Sequence, residues 1–151
     1  MNKIIAPLFV TLVVAAPLLR PVFATEPPPT DVVVLNRAKV DDAFAKGIPM
    51  LVNSSYKIQA GRRITAPGQV EVHERDTDIF YVVDGTATIV TGGKTEGGKT
   101  TGEGEIRGEK ITGGTKRQLQ KGDMIVIPSG VPHWFTEVSN PFLYLVVKVT
   151  K

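Results

Sequence analysis

The sequence predicts an all-β, antiparallel domain, a sandwich or barrel, with one short helix near its start. Three observations carry this reading. From Met50 onward, short runs rich in β-branched and aromatic residues recur. Turn pairs such as Pro67-Gly68, Asp84-Gly85 and Asn140-Pro141 punctuate them. Several runs alternate apolar and polar residues, the period of a strand with one buried face.

The chain divides into three parts. Residues 1–24 have the pattern of a secretory signal peptide: Lys3 gives the positive start, residues 4–19 are apolar except Thr11, and Val22-Phe23-Ala24 precedes the expected cleavage point. Pro7 and Pro17 interrupt the apolar stretch, which is short for a membrane span, so no stable anchor is expected after cleavage. Residues 25–30, TEPPPT, form a stiff proline-rich linker. Residues 31–151 form the β-domain. The expected location is periplasmic or secreted.

Charge and cysteine content exclude several classes. The chain has a net charge of +3, but loss of Lys3 and Arg20 with the leader leaves 16 basic against 15 acidic residues. No basic face is evident, and no nucleic-acid partner is expected. There is no cysteine. Disulfides, thiolate metal sites, a cysteine nucleophile and a lipid-modified cysteine are all ruled out.

Taken in order, DVVVL at 31–35 reads as a strand and residues 38–46 as a helix. Val40 and Phe44 share one helix face, Gly47 supplies the stop and Pro49 follows. MLVNSSYKIQA reads as one strand or two short ones, followed by RRIT; residues 70–73 alternate. IFYVV at 79–83 is continuous enough for a strand buried on both faces, and TATIVT returns after the Asp84-Gly85 hairpin turn. Residues 92–114 hold 9 glycines in 23 positions and read as a flexible surface loop or a lid, with EIRG at 105–108 as an ordered piece inside it. MIVIP, HWFTEV and FLYLVVKVT complete the strands. In the last, Leu143, Leu145, Val147 and Val149 take one face; Phe142, Tyr144, Val146 and Lys148 take the other.

Chemistry centres on the chain's two histidines, His73 and His133. Glu71 and His73 are two apart on one strand and project to the same face, with Val70 and Val72 opposite. Asp78 opens the next strand; if it points inward, so do Phe80 and Val82, while Ile79, Tyr81 and Val83 point away. The reading proposes a metal held by Glu71, His73, Asp78 and His133, with Glu71 or Asp78 also serving as catalytic base. Two imidazoles and two carboxylates suit Mn²⁺, Fe²⁺, Zn²⁺ or Ni²⁺. If Glu71 swings away, His73, His133 and Asp78 remain as a set with open positions. The alternative is a metal-free barrel with two buried neutral histidines and Glu71 paired to Arg75 at the surface. Other polar candidates are Tyr56, Arg62, Arg63, Glu105, Arg107, Trp134, Glu137, Tyr144 and Lys148. Arg62 and Arg63 read as a solvated strand end. Phe135 and Glu137 share the inward face if alternation persists, with Glu137 near a solvated rim, and Trp134 points outward.

The spacing of Gly122, Pro128, Gly130 and His133 resembles the second motif of the cupin family, with Glu137 where that family has asparagine. Asp78 and Gly85 keep a spacing of the first motif. His73 stands at its second histidine, Glu71 replaces its first, and Asp78 replaces a glutamate. The resemblance to a single-domain bacterial cupin spans about residues 50–150. It implies a double-stranded β-helix, a jelly-roll-like barrel with a metal held at one end by inward residues. It further implies a small-molecule ligand or substrate and admits a homodimer. The expected activity is that of a metal-dependent enzyme of dioxygenase, lyase or isomerase type, or a non-catalytic ligand-binding cupin.

Overall fold

A computed structural model describes residues 26–151. The signal peptide expected over residues 1–24 lies outside the described residues. Among the described residues no helix is long and apolar enough to cross a membrane.

Residues 31–35 form no strand, contrary to the strand expected there. Val32 and Val34 are 86% and 79% exposed, and Leu35 packs against the helix that follows. β-Branched residues favour the extended conformation, but a strand needs a ladder partner, and this segment has none. Helix α1 (Arg37–Lys46) starts one residue before the expected position. Asn36 caps it, its side chain accepting the Lys39 N–H at 3.0 Å. Gly47, in the left-handed conformation at φ 69°, ends it as expected.

The strands follow as β1 (Pro49–Val52), β2 (Tyr56–Arg63), β3 (Val70–His73), β4 (Asp76–Asp84) and β5 (Thr86–Thr91). Residues 92–114 are not a structureless loop. They form β6 (Lys94–Glu96), β7 (Lys99–Gly102), β8 (Glu105–Gly108) and β9 (Lys110–Thr112). Five glycines there, at 92, 93, 97, 104 and 113, have positive φ. They turn the chain between short Thr- and Ile-containing strands rather than loosening it. Strands β10 (Thr115–Gln120), β11 (Met124–Ile127), β12 (His133–Val138) and β13 (Phe142–Thr150) complete the chain.

The main sheets are antiparallel throughout. One runs β1-β2-β13-β4-β11 and the other β10-β5-β12-β3-β8-β7; β6 and β9 make a separate ribbon. The core lies between the sheets: Phe80, Val82, Phe142, Tyr144 and Val146 meet Ala87, Ile89, Leu119 and Phe135. Burying each large side chain contributes about 1.5–3 kcal/mol. Outside the five-stranded sheet, α1 packs Val40, Ala43 and Phe44 against Met50, Ala60 and Leu145. Outside the six-stranded sheet, Ile111 of β9 packs with Val70, Val72 and Trp134.

Strand β13 follows the expected alternation, with Phe142, Tyr144, Val146 and Lys148 buried. Strand β4 buries Asp78, Phe80 and Val82, but Tyr81 on its other face is 42% exposed. It is therefore a one-sided strand, not one buried on both faces. In β12 the register against β5 shifts between Phe135 and Glu137. The bulge breaks the alternation, so Phe135 is buried while Glu137 is exposed and accepts a hydrogen bond from Thr88 Oγ1.

Candidate metal centre

The six-stranded sheet supplies three converging donors. Glu71 and His73 sit two apart on β3, and His133 opens β12 directly across from Glu71. Val70 and Val72 fall on the opposite face, in the outer cluster. The turn before β12 docks on β3 through the Gly130 N–H, which donates to the His73 carbonyl at 2.7 Å. Gly130 has φ 80°, a conformation that favours glycine. This contact ties the downstream motif to the upstream one.

Both imidazoles are 3% exposed, and their ring centroids lie 5.2 Å apart. Ligand atoms of Glu71, His73 and His133 all fall within 4.8 Å of one another. His73 Nε2 is 3.5 Å from Glu71 Oε2. It is buried and has no hydrogen-bond partner. Its other ring nitrogen, Nδ1, contacts Glu105 at 2.8 and 2.9 Å. His133 Nδ1 contacts the Val131 carbonyl at 3.2 Å. With Nδ1–H donating in both rings, each Nε2 faces the space beside Glu71 and offers a lone pair there once His73 has lost its second proton. Carboxylate or carbonyl support behind a histidine is the arrangement that fixes a metal ligand's tautomer. The orphaned Nε2 and this donor set fit a divalent ion: two imidazoles and a carboxylate leave coordination positions open. Mn²⁺, Fe²⁺, Zn²⁺ and Ni²⁺ all suit this donor set.

Asp78 comes from the facing sheet. Its Oδ2 is 3.4 Å from His73 Nε2 and 3.7 Å from His133 Nε2. Thus all four residues singled out in the sequence meet at one place. The structure also gives Asp78 a partner that sequence reasoning had not assigned. Lys148 Nζ donates to both Asp78 oxygens at 2.7 Å. The two residues are cross-strand neighbours, and both are buried.

Arg63 is not a solvated strand end. Its Nη2 donates to Glu71 at 3.1 Å and its Nε to the Tyr144 hydroxyl at 3.1 Å, with the guanidinium 4.7 Å from the Phe135 ring centroid. Arg107 Nη2 approaches Glu71 at 3.7 Å, and its Nη1 donates to Glu105 at 2.9 Å. Glu71 therefore pairs inward with two arginines; Arg75 pairs with Glu103 at the surface instead. Trp134 points away from the centre as expected, its indole N–H donating to the Gly68 carbonyl at 2.6 Å.

Electrostatics follow from burial and pairing. Burial alone would lower the His73 pKa, but the Asp78 and Glu71 carboxylates outweigh it and push it up to about 9. Burial would raise Glu71; the His73 imidazole 3.5 Å away and the nearby Arg107 hold it well below the usual carboxylate range. Asp78 is likewise lowered, as His73 and Lys148 overcome desolvation. His133 is lowered by burial. The metal-free centre thus carries a protonated His73 among carboxylates, and seating a cation requires loss of that proton.

Glu105 and Arg107 were visible only as polar candidates. Their roles depend on β8 pairing with β3, in which Glu105 lies across from His73 and Arg107 across from Glu71. No local spacing encodes that register. Lys148 carried a signal: strand alternation puts this lysine on the same face as Phe142, Tyr144 and Val146, so it needs a buried anion.

Two facing antiparallel sheets with a histidine–carboxylate cluster between them define a β-barrel class whose interior could hold a metal ion. The chain belongs to the cupin family: residues 25–151 match the family described as Cupin. A search of curated proteins finds no match. Among solved structures, a Bacillus halodurans protein aligns at TM-score 0.55 and 13% identity, covering 84% of this chain and 86% of its own. Hydroquinone 1,2-dioxygenase of a Sphingomonas species, with 4-hydroxybenzoate bound, aligns at TM-score 0.52 and 17% identity, covering 69% of this chain and 65% of its own. A Thermus thermophilus protein aligns at TM-score 0.50 and 20% identity, covering 69% and 81%. At these identities the likeness is one of fold.

Proposed function

We propose that this chain is an exported, metal-dependent cupin enzyme acting on a small organic substrate in the space between its sheets. The unpartnered, buried Nε2 of His73, facing Glu71 and His133, carries the reading. A buried polar atom without a hydrogen bond costs about 1–3 kcal/mol, and a cation between His73, Glu71 and His133 would satisfy it. Glu71, His73 and His133 are the proposed ligands. When bound, the ion would supply Lewis acidity, or dioxygen activation if it is iron.

The remaining work falls to the chain's own side chains. Glu105 and the Val131 carbonyl hold the two imidazoles in place. Asp78 borders the cavity and stays ionised beside Lys148; it is the proposed proton acceptor once Lys148 releases one of its oxygens, because the ion pair itself weakens it as a base. Glu71 is the alternative base if it releases the ion. Phe80, Phe135 and Val146 line the same cavity and limit water. Export rests on the leader pattern of residues 1–24.

A non-catalytic ligand-binding cupin is the second reading. The pairs Arg63–Glu71 and Lys148–Asp78 favour it, since they satisfy both carboxylates without an ion. Metal analysis combined with melting in the presence and absence of chelator tests the first reading. One ion per chain and a melting temperature that falls on chelation are expected, because ligand binding to the native state stabilises it by mass action. Protein that neither contains metal nor shifts on adding Mn²⁺, Fe²⁺, Zn²⁺ or Ni²⁺ would leave the second.

A further inference from the structure

The cavity beside the proposed ion holds about 110 Å³ and is bounded on the five-stranded side by Gln59, Arg63, Tyr144 and Lys148. It opens to solvent on one side, and its inner end has room for a small polar group beside the ion. Its polar lining is unbalanced. The acceptors are already engaged: Glu71 by Arg63, and both Asp78 oxygens by Lys148. Donors remain. Tyr144 accepts from Arg63 Nε and still has its own O–H to give. Lys148 has a third ammonium hydrogen and Gln59 an amide.

Charge points the same way. Glu71, Asp78 and Glu105 balance Arg63, Arg107 and Lys148 in number, so a divalent ion with neutral histidines leaves a surplus of two positive charges. A buried surplus of that kind favours an anionic occupant. The wall that would receive it is built rather than incidental. Tyr144 lies across from Gly61 in the β2–β13 ladder, and a Cβ at Gly61 would overlap the Tyr144 ring. Phe80 and Phe135 supply an apolar floor next to these donors.

We infer that the cavity selects a small monocarboxylate, its oxygens shared between the metal ion and the Tyr144, Lys148 and Gln59 donors, and its short apolar remainder against Phe80 and Phe135. This rests on the reading that Glu71, His73 and His133 hold an ion, and it narrows the substrate class to short carboxylic acids. The Lys148 ammonium and the Tyr144 hydroxyl discriminate a carboxylate from its amide because the amide returns an N–H toward donors that need an acceptor.

Calorimetric titration of the full chain, loaded with one Zn²⁺ and freed of excess metal, tests this. Acetate, acetamide and sulfate are titrated in turn, and metal content is measured in the same samples. Acetate is expected to bind at least about tenfold more tightly than acetamide or sulfate, the worth of a hydrogen bond to a charged group. Tyr144→Phe touches no proposed ligand to the ion. It is expected to retain one Zn²⁺ and to bind acetate about tenfold more weakly. Equal affinity for acetate and acetamide, tighter binding of sulfate, or unchanged acetate affinity in Tyr144→Phe overturns the carboxylate assignment and leaves the metal reading standing. Failure to take up Zn²⁺ overturns both.

Discussion

The two sheets contribute different chemistry to the space between them. The six-stranded sheet presents lone pairs: Glu71, His73 and His133, braced by Glu105. The five-stranded sheet presents hydrogen: Arg63, Tyr144, Lys148 and Gln59, with Asp78 as its single carboxylate in the cavity. One wall is suited to a cation and the other to an anion. The two residues that cross this division, Arg107 on the six-stranded side and Asp78 on the five-stranded side, are each held in an ion pair, so the difference teaches that pairing as well as sheet membership sorts the roles.

The sharpest way to break this division is Lys148→Met. It strands Asp78, which is 2% exposed, without its cation. Removing one partner of a buried pair costs about 3–5 kcal/mol, and urea unfolding should show a loss of that size in metal-free protein. Added Zn²⁺ should restore more stability to this variant than to the wild type, since Asp78 is then free to turn toward the ion.

Raising pH probes the opposite wall. The folded-state pKa of His73 lies near 9, above its ordinary value of 6.5. A raised pKa means the folded metal-free chain holds this proton more tightly than the unfolded one. The stabilisation, on the order of 3 kcal/mol, is fully present below pH 6.5 and disappears as pH rises through 9. Zn²⁺ must displace the same proton, so its apparent affinity should fall about tenfold for each pH unit below 9. Melting curves without metal and titrations with it, across pH 6 to 10, check both signs.

His133→Ala sharpens the comparison by removing one ligand. Its metal affinity should drop by more than about 100-fold, with little change in circular dichroism. Glu105→Gln, which changes the support behind His73 and the pair with Arg107 but no proposed ligand, should cost about 10–100-fold. Equal metal affinity in all three proteins would dissolve the distinction between the walls. The smallest effect is expected far from both: Asn36→Ala removes the α1 cap for about 1 kcal/mol and should leave metal affinity unchanged.

Strands with one buried face were legible because alternation is local. His133–Val138 and Phe142–Thr150 begin and end where their apolar runs do. The convergence of His73 with His133 was legible through motif spacing. Two kinds of information were not. Glycine content signals turns and flexible loops alike, so residues 92–114 looked loose when their glycines in fact mark the corners of four strands. Valine content signals extended backbone but not its partner, so residues 31–35 looked paired. Arg63 was misread for a related reason. Two consecutive arginines at a strand end face opposite ways, and only the ladder with β13 decides which one turns inward.

The β3–β8 ladder gives the centre a remote reporter. Glu105 and Arg107 reach His73 and Glu71 from a hairpin whose outer strand, β7, is fully exposed. Occupancy of the ion site and amide exchange along residues 99–108 are therefore thermodynamically linked. Filling the site should slow exchange in that hairpin, and fraying of the hairpin should hasten release of the ion.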